Sequence, residues 1–161
     1  MMRLFYFVIF CSLNMVINLN AEENKLVSDL QAIRKQGGNP NANRGALEKK
    51  SLELLKPETA PEGRGRIYST IVYFYSENGG GSSSEATKSA KYAEEALKYP
   101  LDVPTTIDMY AYWGDAVNKL LVKPTLTPVL KEKEFSAARV KLLDIYLAGL
   151  KVILDSQTSN A

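Results

Sequence analysis

Histidine is absent from this 161-residue chain, and its single cysteine, Cys11, lies close to the N-terminus. Ser–His and Cys–His nucleophile systems therefore cannot be assembled beyond that point. A zinc site of the usual nitrogen and sulfur ligands is equally excluded. An excess of either charge is missing too. Lys+Arg 20 against Asp+Glu 18 leaves a formal +2, too balanced for a nucleic-acid or polyanion surface. Adjacent carboxylates such as Glu22-Glu23 and Glu94-Glu95 diverge by about 100° on a helix, so they read as solvated faces. The glycine-rich run Gly79–Ser89 lacks phosphate-loop spacing, because the residue five after Gly81 is Ala86. No catalytic, cofactor or metal residues are expected, and an enzyme working with carboxylates alone ranks third among the readings below.

One hydrophobic run stands out. Arg3 is followed by LFYFVIFCSLNMV from Leu4 to Val16, and Ala21 precedes Glu22-Glu23. A charged start, a short apolar centre and a small residue before an acidic pair describe a secretory signal peptide, residues 1–21. The centre is shorter than the roughly 17–25 residues of a spanning helix, so an uncleaved anchor is the alternative. The expected destination is periplasmic or extracellular, without membrane association after cleavage. Residues 22–161 then hold no cysteine, and stability must come from packing rather than from disulfides.

The remainder reads as helices separated by breakers. Glu22–Gln36 carries Leu26, Leu30 and Ile33 on one face, and Gly37-Gly38-Asn39-Pro40 stops it. A second helix runs from about Arg44, capped by Asn43, to Lys56 before Pro57. Tyr68, Ile71, Val72 and Tyr75 form the stripe of a third, about Glu62–Asn78. Ser82-Ser83-Ser84-Glu85 has the form of a capping box opening a fourth, which ends at Tyr99-Pro100 and carries Ala86, Ala93, Ala96 and Leu97. The fifth carries Tyr110, Trp113, Val117, Leu120 and Leu121 on one stripe. Gly114 lies beside that stripe, where a missing side chain implies close approach of another helix. The sixth spans about Lys131–Ser156.

The punctuation repeats. Pro57 and Pro61 recur as Pro100 and Pro104, and Gly37-Gly38 as Gly79-Gly80, about 42–43 residues on. Thr59 and Asp102, equivalent under this shift, are both able to cap a helix. Recurrence at this length signals stacked helical hairpins, since one hairpin cannot bury both of its apolar faces. Tyr110-x2-Trp113-Gly114-x2-Val117 resembles the first-helix signature of the tetratricopeptide repeat, W-x2-L-G-x2-Y. Lys91–Pro100, KYAEEALKYP, resembles the family's second-helix ending. The resemblance covers about residues 60–150 well and 22–56 loosely, and it departs at Leu26 and Val72.

The resemblance implies an all-α fold, a short right-handed α-solenoid of three antiparallel hairpins (about 22–56, 62–99 and 104–156). The repeat domain is 22–156, with a polar tail at 157–161. It also implies that the first helix of each hairpin lines a concave groove taking a peptide or partner protein. Gln31, Arg34, Ser69, Tyr73, Ser76, Asp115 and Asn118 are the candidate groove residues, with Val27 and Ala111 beside them. Tyr73 and Tyr112 lie off the apolar stripes and read as exposed contact residues. The sixth helix is apolar around most of its girth, broken by a polar line of Lys141, Asp144, Lys151 and Asp155. Either Leu126, Val129 and Leu130 fold back over it, or Leu143, Leu147, Leu150 and Leu154 form a seam for self-association or a partner. An interaction adaptor is thus the first reading and a self-assembling structural subunit the second.

Overall fold

Short polar side chains placed just before apolar runs set where the helices begin. Asn43 accepts a hydrogen bond from the Ala46 amide (3.1 Å), Ser82 from Glu85 (3.2 Å) and Asp102 from Thr105 (2.8 Å), each satisfying an amide that the first turn leaves without a partner. The resulting computed structural model describes residues 22–39, 41–57, 59–76, 82–122 and 132–158. It is all-α: six helices packed on one another, with no strand among the described residues. They are α1 (22–37), α2 (Arg44–Leu52), α3 (Pro61–Ser76), α4 (Ser83–Ala96), α5 (Val103–Val122) and α6 (Glu132–Thr158). None of these is long and apolar enough to cross a membrane. The expected signal peptide, Cys11, the Gly79–Gly81 turn and the connection holding Leu126, Val129 and Leu130 lie outside the described residues.

Several boundaries differ from the sequence expectation: α4 ends at Ala96 rather than Tyr99, and α6 runs to Thr158, into the expected polar tail. α2 ends at Leu52 rather than Lys56, because Glu53–Leu55 turn over through bonds to Lys49, Ser51 and Leu52 carbonyls. Thr59 does not cap α3. Its hydroxyl accepts from the Lys56 amide (2.9 Å) and holds the preceding turn. Pro61 itself occupies the first position of α3, where a missing N–H costs nothing. Arg64 then reaches back to the carbonyls of Thr59, Lys56 and Pro57 at 3.0–3.2 Å, tying the linker to α3.

α3 is the centre of the packing. Ile67, Ile71, Val72 and Phe74 are fully buried, and Gly63, Gly65, Ser69, Thr70, Tyr73 and Tyr75 are buried with them. A helix buried around most of its girth needs several neighbours. α1, α2, α4 and α5 supply them. α1 runs beside α3 in the same direction, since Glu23 pairs with Arg66 near their starts and Gly37 meets Phe74 near their ends. α5 does the same on the other flank, where Tyr73 meets Asp108 and Tyr112. α4 returns antiparallel along α3, with Ser76 against Ser89 at one end and Tyr68 stacked on Tyr99 at the other. α6 returns along α5 in the same manner.

Helix five turns a different side inward from the one its stripe suggests. Met109, Gly114 and Ala116 are buried, whereas Tyr110, Trp113, Val117, Leu120 and Leu121 are half-buried. Met109 joins the central core, and Gly114 takes the closest approach of α6. The expected reason for Gly114 holds: a Cβ there would lie 2.5 Å from the Tyr146 ring of α6.

Glycine contacts differ in how much they can yield. A Cβ at Gly37 would sit 2.3 Å from Cβ of fully buried Phe74, next to backbone that cannot retreat, whereas Tyr146 can swing outward from Gly114. Gly37→Ala is therefore expected to destabilise the protein by about 2 kcal/mol or more. Gly114→Ala should cost less, because the gain in helix propensity of roughly 1 kcal/mol offsets the displacement. Thermal unfolding followed by circular dichroism ranks the two; equal melting temperatures would contradict the packing described.

Candidate functional site

The residues of α3 that face neither α2 nor α4 form the floor of a groove. Arg66, Ser69, Thr70 and Tyr73 follow one another at helical spacing, with Glu62 one turn earlier. Val27, Leu30, Gln31 and Arg34 of α1 form one wall, and Pro100, Leu101, Asp102 and Thr105 at the start of α5 form the other. The open groove has a volume of about 640 Å³, within the range of sites that take small ligands or peptide side chains. Two cationic and two acidic side chains line it: Arg34 and Arg66, Glu62 and Asp102.

The floor is held rigid by its own bonds. Ser69 and Thr70 hydroxyls both donate to the Arg66 carbonyl, at 3.0 and 2.8 Å. The Tyr73 hydroxyl donates to Asp108 of α5 at 2.7 Å. Its ring carries the Arg34 guanidinium 3.6 Å from the centroid on one side and the edge of Tyr112, at 5.5 Å, on the other. Arg34, Tyr73 and Tyr112 thus form a ladder from α1 through α3 to α5, each rung about 39 residues on. Burial, and then the bond to Asp108, push the Tyr73 phenol well above its usual range, with Arg34 opposing.

The structure brings four of the sequence candidates together here: Gln31, Arg34, Ser69 and Tyr73. It separates the others. Ser76 turns to α4, its hydroxyl 2.7 Å from that of Ser89. Asp115 pairs with Lys119 one turn on at 2.7 Å, and Asn118 is exposed further along α5; neither lines the groove. Tyr73 is not an exposed contact residue but 6% accessible, and Tyr112 is half-buried. Their rings point between the parallel helices, where off-stripe positions become inter-helix contacts once a helix has neighbours on both flanks. Sequence reasoning missed Glu62, Arg66, Asp102 and Thr105. Arg66 was within reach, being one and two turns before Ser69 and Tyr73.

A second cluster joins α2, α3 and α4. The Glu48 carboxylate accepts hydrogen bonds from Tyr75 (2.7 Å), Tyr92 and Lys88 (both 2.5 Å), and Arg44 pairs with Glu85. Arg44, Leu47, Glu48 and Ser51 share one face of α2, so a charge at the inward spacing was the available signal. Among the described residues no group of three or more His, Cys, Asp or Glu could hold a metal. The seam residues lie together on α6: Leu143, Leu147, Leu150 and Leu154 are 54–62% exposed. Models of protein families, curated proteins and solved structures give no match to this chain.

Burial pushes Glu48 up, but the bonds from Lys88, Tyr92 and Tyr75 outweigh it and leave the carboxyl below its usual 4.5. Desolvation, with the bond to Glu48, pushes Tyr75 to about 12. A carboxyl depressed by folding stabilises fully above its unfolded value, and that contribution is lost as pH falls through the folded value. Glu48→Gln is expected to cost about 1–3 kcal/mol at neutral pH and to flatten the loss of stability below pH 4.5. Urea melts at neutral and acid pH measure both; an unchanged pH profile in the variant would contradict the assignment.

Proposed function

We propose that this protein is an exported, non-enzymatic interaction module that holds an extended peptide or a segment of a partner protein in the groove across α1, α3 and α5. The observation that carries the reading is the groove itself: a rigid floor whose hydroxyls are satisfied internally, between walls offering both charges and apolar surface. Such a lining suits a main chain with alternating side chains more than a single small anion, for Glu62 and Asp102 share it with Arg34 and Arg66.

Stacked hairpins of the tetratricopeptide kind are part of the same proposal. The parallel run of α1, α3 and α5, the antiparallel return of α4 and α6, and the repeated breakers support it. A signal peptide at residues 1–21 would deliver the module to a periplasmic or extracellular partner, and its charged start and short apolar centre support that placement. The absence of histidine weighs against acid–base catalysis in the groove.

Site-specific photo-crosslinking tests the groove. A photoreactive residue replacing Gln31 or Thr105 should capture the same discrete partner, while one replacing exposed Lys91 on α4 should capture none. Arg34→Ala together with Arg66→Ala is expected to weaken that partner's binding by roughly tenfold. Capture from all three positions alike, or full binding by the double variant, would contradict the groove reading.

A further inference from the structure

α6 has two apolar faces. Ile145 and Gly149 are buried toward α5, with Leu142, Val152 and Ile153 half-buried around them. On the opposite side Val140, Leu143, Leu147, Leu150 and Leu154 are 54–62% exposed. Their spacing alternates three and four residues, the narrow seam of a helix lying along a second helix at a shallow angle. A helix covering a globular core carries a broader stripe. Five such rungs extend about 20 Å along the axis.

We propose that this seam pairs with the same seam of a second copy of the chain, the two α6 helices running antiparallel about a two-fold axis. Three observations select a copy of itself as the occupant. The spacing is that of a helix–helix seam rather than of a pocket. The flank is self-complementary: Asp144 and Lys151 are exposed on one side of the seam, a heptad apart and opposite in sign. An antiparallel copy sets Asp144 of each chain beside Lys151 of the other, so the favourable pairing occurs twice. The area is sufficient. With Tyr146, 43% exposed, at the rim, the patch offers on the order of 600 Å² per copy, close to the ~800 Å² per partner of a standard interface. Because each copy presents the same patch, the pair closes as a dimer and does not propagate. This inference stands independently of the groove.

Sedimentation equilibrium of the purified chain from about 1 to 200 µM decides it. The expected result is a reversible monomer–dimer equilibrium. Leu147→Glu with Leu150→Glu should raise the dissociation constant about 100-fold or more with unchanged helical circular dichroism, since both side chains are exposed in the single chain. Asp144→Lys should weaken the dimer roughly tenfold, and Asp144→Lys with Lys151→Asp should restore it. A strict monomer at the highest concentration would overturn the proposal, as would covering of the seam by another segment of the same chain, which gives that same result. A dimer indifferent to the leucine pair would also overturn it, and failure of the charge exchange to rescue would refute the antiparallel pairing.

Discussion

The enclosure of α3 is the constraint on which the rest of the structure depends. Its buried residues are not confined to one stripe: Ile67, Ile71, Val72, Phe74 and Tyr75 cover one side, and Ser69, Thr70 and Tyr73 are buried on the other. A helix of that kind is unstable beside a single neighbour, because any uncovered side leaves apolar surface in water. Four helices therefore gather on it. Its tyrosines convert contact into registration, since each buried ring brings a hydroxyl that needs a partner. Tyr73 finds Asp108 on α5 and Tyr75 finds Glu48 on α2. Tyr68 stacks between Tyr92 and Tyr99 at the two ends of its reach. Slippage of α2, α4 or α5 by a turn would strand one of these groups.

The groove is a by-product of the same enclosure. α1 and α5 lie beside α3 and not over it, so one line of α3 residues remains between them. There the chain places short hydroxyls turned back on their own backbone and one ring capped by an arginine. Arg34 and Arg66, the first stacked on Tyr73 and the second paired with Glu23, line the groove together with Glu62 and Asp102. Such a surface is ordered before anything binds, and a ligand would meet little entropy cost in organising it. α6 is the opposite case: its inner face is consumed by α5, and its outer face carries the leucines an internal helix would hide.

Much of the helical framework could be read from the chain. Asn43, Ser82 and Asp102 announce helix starts by chemistry local to a single turn, and these signals hold. Gly114 announces a close contact because a mid-helix glycine has few other reasons to be there. The apolar seam of α6 was visible as a helix with too little polar surface. What could not be read depends on partners distant in sequence. Tyr73 resembles a surface aromatic until α5 is placed beside it. Ser76 and Asp115 lie on the groove's helices but a turn or more beyond its lining, where Ser76 meets Ser89 of α4 and Asp115 pairs with Lys119. Glu48 carries an inward spacing, yet its role needs Tyr75, Tyr92 and Lys88 from two other helices. Helix five turned Met109, Gly114 and Ala116 inward because neighbours on more than one side press on it.

Native-state hydrogen exchange tests the enclosure of α3 most directly. If four neighbours must all be in place, the amides of Ile67–Tyr75 open only when the whole protein unfolds. Their exchange free energies should then equal the global value from denaturant melts. Exchange from α3 through a local opening, at a free energy well below the global one, would contradict the account.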